Sequence, residues 1–210
     1  MTDDSPQRLT IEVGKSASVS ALLTRPQRAR ACFVFAHGAG AGMNHPFMAA
    51  VAAGLAERGI ATLRYQFPYM EKASKRPDPP AIAIATVRAA AAKAAEIFPG
   101  LGLIAGGKSF GGRMTSQAQA AAPMPGVRGL AFVGFPLHPA GKPSIDRAEH
   151  LGKIELPMLF LQGTRDTLAE VALIEPVVQR LGPHGANASA ASMAPTAGID
   201  WRATSSAASR

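Results

Sequence analysis

The sequence predicts an α/β domain with a mainly parallel sheet and helices on both faces, because apolar runs and helical segments alternate along the chain. The predicted strands are 31–36, 60–67, 101–105, 127–135 and 157–162. The predicted helices are 46–58, 81–98, 109–122 and 171–181. The apolar runs are continuous rather than alternating, which is typical of strands buried on both faces of a parallel sheet.

Local signals set the boundaries of these elements. Residues 10–13 and 18–24 read as an antiparallel hairpin closed by a short turn. Pro46 can open the first long helix and Gly59 can end it. Pro176 lies inside the last helical segment, where we expect it to distort the helix or to shift its start.

Composition limits the classes of protein. The chain has 210 residues, 47% hydrophobic and 17% charged, which suits one globular domain. Cys32 is the single cysteine, so the sequence excludes an internal disulfide and a cysteine-based zinc site, and we expect no metal and no cofactor. No apolar leader or long apolar segment stands out, so we expect a cytoplasmic protein without a membrane partner.

The formal net charge is +8. The basic residues are spread along the chain and form no basic helix face, so we predict a small-molecule substrate rather than a nucleic-acid partner. The sequence leaves the oligomeric state open.

The composition changes abruptly after Pro183. We predict a domain over 1–183 and a low-complexity, loosely ordered tail over 184–210, rich in Ala and Ser. No run of large apolar residues occurs in this tail. The expectation is therefore that a last core strand is absent.

A possible nucleophile lies at Gly107-Lys108-Ser109-Phe110-Gly111, which fits the pattern G-x-S-x-G. The pattern alone is weak, but here it follows an apolar strand and precedes a helix, as a nucleophile elbow requires. Such a turn would lift the Ser109 hydroxyl above the sheet edge. The helix amino terminus would supply positive potential and free N–H groups beside it.

Two further segments could complete the chemistry of acyl transfer. The glycine-rich loop at 37–42 follows an earlier strand, and the amides of Ala39 and Phe110 are the expected donors to an oxyanion. Asp166 follows the strand at 157–162 and could orient the histidine that takes the serine proton. The alternative for Asp166 is a helix cap.

Five segments together resemble the α/β-hydrolase superfamily, and more narrowly the dienelactone-hydrolase-like group related to the testis-expressed-protein hydrolases. They are HGAGAGMNHPF at 37–47, RYQFPYME at 64–71, GGKSFGGRM at 106–114, FPLHPAGKP at 135–143 and QGTRD at 162–166. The likeness covers about residues 10–182. It implies an α/β-hydrolase fold, a nucleophile at Ser109, an acid at Asp166 and oxyanion donors near Ala39 and Phe110.

The histidine that the resemblance implies is the missing member. It would lie in a loop after one more strand, in an Asp-His dipeptide that this chain lacks. His184 is the only histidine after Asp166 and is the candidate base, and the histidine region of the family is expected to be missing or altered. His138 and Tyr69 are expected to contribute to the substrate pocket.

We therefore predict a serine hydrolase acting on a small carboxylic ester, thioester or lactone through an acyl-enzyme. One alternative is a catalytically impaired hydrolase fold that acts as a binding or interaction module. Another is a nucleotide-binding P-loop, because residues 102–109 also match G-x-x-x-x-G-K-S. A P-loop would need Leu103, Ile104 and Ala105 in a loop, whereas their apolar character indicates a strand.

Overall fold

Eight strands form one sheet in the computed structural model, which describes residues 6–15 and 17–190. The strands are β1 Gln7–Val13, β2 Ala17–Thr24, β3 Ala31–Ala36, β4 Ile60–Tyr65, β5 Leu103–Lys108, β6 Val127–Val133, β7 Met158–Gly163 and β8 Gly185–Ala190. Their spatial order is β1-β2-β4-β3-β5-β6-β7-β8. The strands from β3 to β8 pair in parallel, whereas β1 and β2 form an antiparallel hairpin that continues onto β4.

Helices cover both faces of this sheet. They are α1 Pro46–Ala56, α2 Pro68–Glu71, α3 Pro80–Ile97, α4 Phe110–Ala121 and α5 Val171–Arg180. Alternate residues of a strand point to opposite faces, and β3 shows this directly. Phe33 and Phe35 pack with Met48 and Val51 of α1, whereas Val34 joins the larger core that includes α3 and α4. The predicted α/β architecture is therefore confirmed.

The expectation that a last strand is absent was wrong. Residues 185–190 form β8, which pairs in parallel with β7 from Met158↔Gly185 to Gly163↔Ala190. The sequence signal was missing because this segment, Gly-Ala-Asn-Ala-Ser-Ala, has no branched or aromatic residue. Backbone hydrogen bonds to β7 form the strand instead. Residues 191–210 of the predicted tail lie outside the described residues, and the domain boundary near 183 stays a prediction.

Smaller differences concern three other elements. β5 extends through Lys108, so the strand leads directly into Ser109. A 3₁₀ helix at Asp146–Lys153, here the 146–153 segment, was not predicted from the sequence. Helix α5 continues through Pro176, whose ring removes one backbone donor but does not end the helix. In the ranges that the structure describes, no helix is long and apolar enough to cross a membrane.

Candidate functional site

Ser109 stands at the turn between β5 and α4. Its backbone has φ 47° and ψ −112°, a left-handed conformation that is costly for a residue with a side chain. Its amide donates to the carbonyl oxygen of Val133 at 3.0 Å, which ties the turn to β6. The residue is partly exposed, and its side chain makes no capping hydrogen bond to α4. In the described part of the chain the hydroxyl therefore has no capping role, as a nucleophile elbow requires.

The two motif glycines let this turn pack against the end of β3. A Cβ atom at Gly107 would overlap the carbonyl oxygen of Ala36, and one at Gly111 would lie 2.5 Å from the carbonyl oxygen of His37. Neither separation is tolerated by a real side chain. The sequence G-x-S-x-G is thus explained by backbone contact between the elbow and the segment that follows β3.

The glycine-rich loop after β3 lies beside the nucleophile. A Cβ atom at Gly38 would be 3.8 Å from the Cβ atom of Ser109, which measures how closely the two segments approach. The loop continues as a turn in which the Ala41 amide donates to the Gly38 carbonyl oxygen at 3.3 Å. Ala39, at the tip of that turn, is exposed.

The end of β4 holds this loop through groups that sequence reasoning did not single out. The Met43 amide donates to Gln66 Oε1 at 2.9 Å, and the buried Arg64 donates to the Met43 carbonyl oxygen at 3.3 Å. His37 Nε2 accepts from the Phe67 amide at 3.1 Å, so its Nδ1 carries the proton and donates to the Gly38 carbonyl oxygen at 2.8 Å. Burial lowers the pKa of His37, which keeps the ring neutral.

The predicted oxyanion donors lie in suitable backbone positions. Phe110 is the first residue of α4, where an amide has no intrahelical partner. In the described part of the chain, neither the Phe110 amide nor the Ala39 amide donates to a protein acceptor. The oxyanion role of both residues stays a prediction that this arrangement favours.

Asp166 comes to the same edge of the sheet as Ser109. Ser109 follows β5 and Asp166 follows β7, while a Cβ atom at Gly134, after β6, would lie 3.2 Å from Asp166 Oδ2. The carboxylate accepts from the side-chain amide of Gln162 at 2.7 Å and from the Leu168 amide at 2.9 Å. Both bonds fix its orientation. The second bond closes a local turn and does not cap α5, whose start at Glu170 has no side-chain cap.

His184 is not brought to the site. It directly precedes β8, whose first residue pairs with Met158, the first residue of β7. Ser109 follows the last residue of β5, at the opposite edge of the sheet. A strand of six residues spans roughly 20 Å. His184 therefore cannot take the Ser109 proton, even through one water, and we leave it out of the proposed site.

His138 forms an ion pair with Glu170. Its ring is buried, with Nδ1 2.9 Å from the Pro139 carbonyl oxygen and Nε2 2.8 Å from Glu170 Oε2. Both partners are acceptors, so both ring nitrogens donate and the ring is a cation. The Pro139 carbonyl and then Glu170 raise the pKa of His138. A substrate-binding role for His138 stays a prediction.

This pair predicts a pH-dependent stability. A histidine whose pKa is raised on folding stabilises the protein fully below its ordinary pKa, and the contribution is lost as pH rises through the raised value. We expect the melting temperature to fall from neutral toward alkaline pH, and to fall less and from a lower pH in Glu170→Gln. Melting curves between about pH 5 and pH 8 would measure this. Glu149→Gln, which changes an exposed carboxylate, should keep the wild-type profile. Identical profiles for all three proteins would contradict the pair.

Tyr69 lies within the aromatic cluster beside the elbow. Its ring centroid is 6.4 Å from that of Phe110 and 6.0 Å from that of His37. Its hydroxyl is buried without a hydrogen-bond partner in the described residues. Burial raises its pKa, and the nearby Gly40 backbone opposes that shift. A substrate-binding role for Tyr69 stays a prediction.

The remaining histidines have structural partners. His45 accepts from the Phe47 amide at 3.2 Å and begins α1. His150 Nε2 lies 2.7 Å from Ser116 Oγ, but that hydroxyl also lies 2.9 Å from the Arg113 carbonyl oxygen. Because the single hydroxyl proton goes to that carbonyl, the His150 ring donates and does not activate the serine. Among residues 6–15 and 17–190, no histidine hydrogen bonds to Ser109.

The nucleotide-binding alternative conflicts with the fold. Residues 103–108 are strand β5, paired with β3 and β6, so they do not form a phosphate-binding loop.

Across the described residues, no group of three His, Cys, Asp or Glu side chains could hold a metal ion. A surface groove of about 460 Å³ includes none of the predicted site residues. It is lined by Ile145, Ala172, Leu173, Pro176, Gln179 and Arg180.

Comparison with known proteins gives a family and a set of folds. A family model described as an alpha/beta hydrolase domain matches residues 29–189. A dienelactone hydrolase from Anabaena variabilis superimposes with a TM-score of 0.73 at 21% identity, over 89% of this chain and 86% of that chain.

Two further solved structures are similar. An alpha-beta serine hydrolase homologue from Coxiella burnetii has a TM-score of 0.71 at 19% identity, over 90% of this chain and 88% of that chain. The esterase domain of a Rhodothermus marinus protein has a TM-score of 0.68 at 17% identity, over 88% and 86% respectively. At sequence identities of 17–21%, these comparisons show that the chain and the three solved structures share a fold.

Proposed function

The chain belongs to the alpha/beta hydrolase domain family, and from this premise we propose that it cleaves a small carboxylic ester, thioester or lactone through an acyl-enzyme on Ser109. The observation that carries the proposal is the left-handed backbone of Ser109 at φ 47°, with a side chain that makes no capping hydrogen bond to α4. The names of similar structures, a dienelactone hydrolase and an esterase domain, support the same reaction class.

The chemistry follows from the arrangement at the sheet edge. The Ser109 oxygen forms a bond to the substrate carbonyl carbon while its proton passes to a base, and the carbonyl oxygen becomes an oxyanion. The amides of Phe110 and Ala39 would stabilise that charge. Collapse expels the protonated leaving group, and water then releases the acid. Asp166 is placed to orient an imidazole base that stands at this edge of the sheet.

The base is the group that this chain does not visibly supply. A histidine following β8 would stand at the same edge as Ser109 and Asp166, but the sequence has no histidine after His184. A positioned general base contributes about 10²–10⁴-fold to a rate. We therefore propose that Ser109 is a weak nucleophile in this chain. The same observation favours the second candidate function, a hydrolase fold that binds a small ligand or a partner without turnover.

An added base separates the two functions. We expect a fluorophosphonate probe to label Ser109 slowly, and imidazole at high concentration to accelerate labelling by about tenfold or more, because free imidazole can take the proton. Mass spectrometry of the labelled peptide locates the modified residue. Pyrazole, which is similar in size but much less basic, serves as the control at the same pH. Folded protein that is not labelled even with imidazole would favour the binding module over the hydrolase.

A further inference from the structure

Two arginines lie one turn away from a hydrogen-bonded contact between two helical segments. Ser116 on α4 and His150 on the 146–153 segment lie 2.7 Å apart. Three residues before each of them stands an arginine, Arg113 and Arg147 respectively. Both segments connect neighbouring parallel strands, so they run in the same direction. Three residues make about one turn in either type of helix, so both arginines lie one turn before the contact and on its side of their segments. Helical side chains also lean toward the amino terminus, which directs Arg113 toward the Ser109 end of α4.

Arg113 is a partly buried cation without a partner in the described part of the chain. Its Nε atom is buried and makes no hydrogen bond. No carboxylate lies within 4.0 Å of its guanidinium among residues 6–15 and 17–190. Burial and then the charge of Arg147 lower its pKa. A desolvated cation next to a second cation is costly unless an anion compensates both.

Arg147 is held in place without being neutralised. Its amide donates to the Leu137 carbonyl oxygen at 3.3 Å, and its guanidinium donates to the His138 carbonyl oxygen at 2.9 Å. That contact leaves the other guanidinium donors available. The residue is partly exposed, as is Arg113, so a small solute can reach both.

The surrounding groups add positive rather than negative charge. Burial, then the charges of Arg113 and Lys153, lower the pKa of His150 to about 4. The His150 ring is therefore neutral at pH 7. The acidic residues of the segment, Asp146 and Glu149, are exposed and form no ion pair with either arginine in the described residues. The nearby carboxylate of Glu170 is already paired with His138.

We propose that Arg113 and Arg147 form an oxyanion site between α4 and the 146–153 segment, which takes the carboxylate or phosphate group of a small ligand. Guanidinium groups bind such planar or tetrahedral oxyanions through pairs of charge-assisted hydrogen bonds, and an anion bound to both guanidinium groups would offset their charge. The site is independent of turnover at Ser109, so it can be tested whether or not the hydrolase proposal holds.

Thermal stability in the presence of oxyanions tests the site with the full chain. Inorganic phosphate and acetate are titrated separately, with sodium chloride at matched ionic strength as the reference. The wild type should gain melting temperature with at least one of them beyond the chloride effect. Arg113→Gln and Arg147→Gln should each weaken that binding by about tenfold or more, since a charge-assisted contact is lost. Arg128→Gln, which changes an exposed arginine at the start of β6, should respond as the wild type does.

A second measurement separates ligand binding from a structural role. In chloride alone, Arg113→Gln should be at least as stable as the wild type, because it removes repulsion from Arg147, and added oxyanion should reverse that order. A response to phosphate alone would assign the site to phosphate esters, and a response to both anions would include carboxylates. The proposal is overturned if neither anion stabilises the wild type beyond chloride, or if all four proteins respond equally.

Discussion

Ser109→Ala is expected to lose the fluorophosphonate label completely and to reduce imidazole-supported ester hydrolysis to the rate that imidazole alone gives without protein. The acyl-enzyme bond forms at this hydroxyl, so its removal leaves no covalent route. With imidazole present the fall should be about 10²-fold or more. Without imidazole the two proteins should differ much less, because the parts of a catalytic triad act as a unit and one is already missing. Release of a chromophoric phenol from a small aryl ester measures both conditions.

A matched serine tests whether the effect is specific. Ser116 is fully buried on the same helix and makes a Ser–His contact with His150, so it is the other serine in the structure that resembles a dyad. Ser116→Ala should keep the label and the imidazole-supported rate, although it removes a hydrogen bond to His150. Equal rates for Ser109→Ala and the wild type in imidazole would contradict the proposed nucleophile.

Gly107→Ala is expected to destabilise the fold by about 1–3 kcal/mol and to reduce labelling of Ser109. The added methyl group would meet the Ala36 carbonyl oxygen, and the neighbouring backbone must move to admit it. That movement separates the elbow from the end of β3, and the oxyanion loop begins there. Denaturant unfolding at equilibrium gives the free energy, and the labelling rate gives the effect on the site.

Gly152→Ala is the matched control for this change. Its Cβ position has no atom within 4 Å, and its φ is not positive, so the methyl group fits without strain. We expect a change within about 0.5 kcal/mol. If Gly107→Ala proved as stable and as readily labelled as Gly152→Ala, backbone contact at the elbow would not be what requires glycine there.

Most strands were predictable because burial leaves a clear pattern. The bounds of β3 match the apolar run at 31–36, and β6 matches the run at 127–135 closely. β8 was missed because its residues carry no hydrophobic signal, and only pairing with β7 determines its conformation. The 146–153 segment was missed for a related reason: its mixed charged sequence becomes helical through contacts with α4 that are distant in sequence.

The site was predictable in part. The positions of Ser109 and Asp166 at one sheet edge follow from the order of motifs and from parallel pairing. The place of His184 could not be predicted, because it depends on whether a strand follows this residue. Strand β8 does follow, and it leaves His184 at the edge of the sheet opposite Ser109. The pairing of His138 with Glu170 joins residues 32 positions apart. No local pattern in the sequence reports such a contact.

The uncapped start of α4 has a consequence for binding. The first amides of a helix lack intrahelical acceptors, and here the serine that precedes them supplies none. Under the proposed chemistry, negative charge that develops on a substrate would complete the helix terminus in the way that a capping side chain does elsewhere. The oxyanion would then accept hydrogen bonds from helix amides that have no intrahelical acceptor. The protein would bind this charged species more tightly than the neutral substrate.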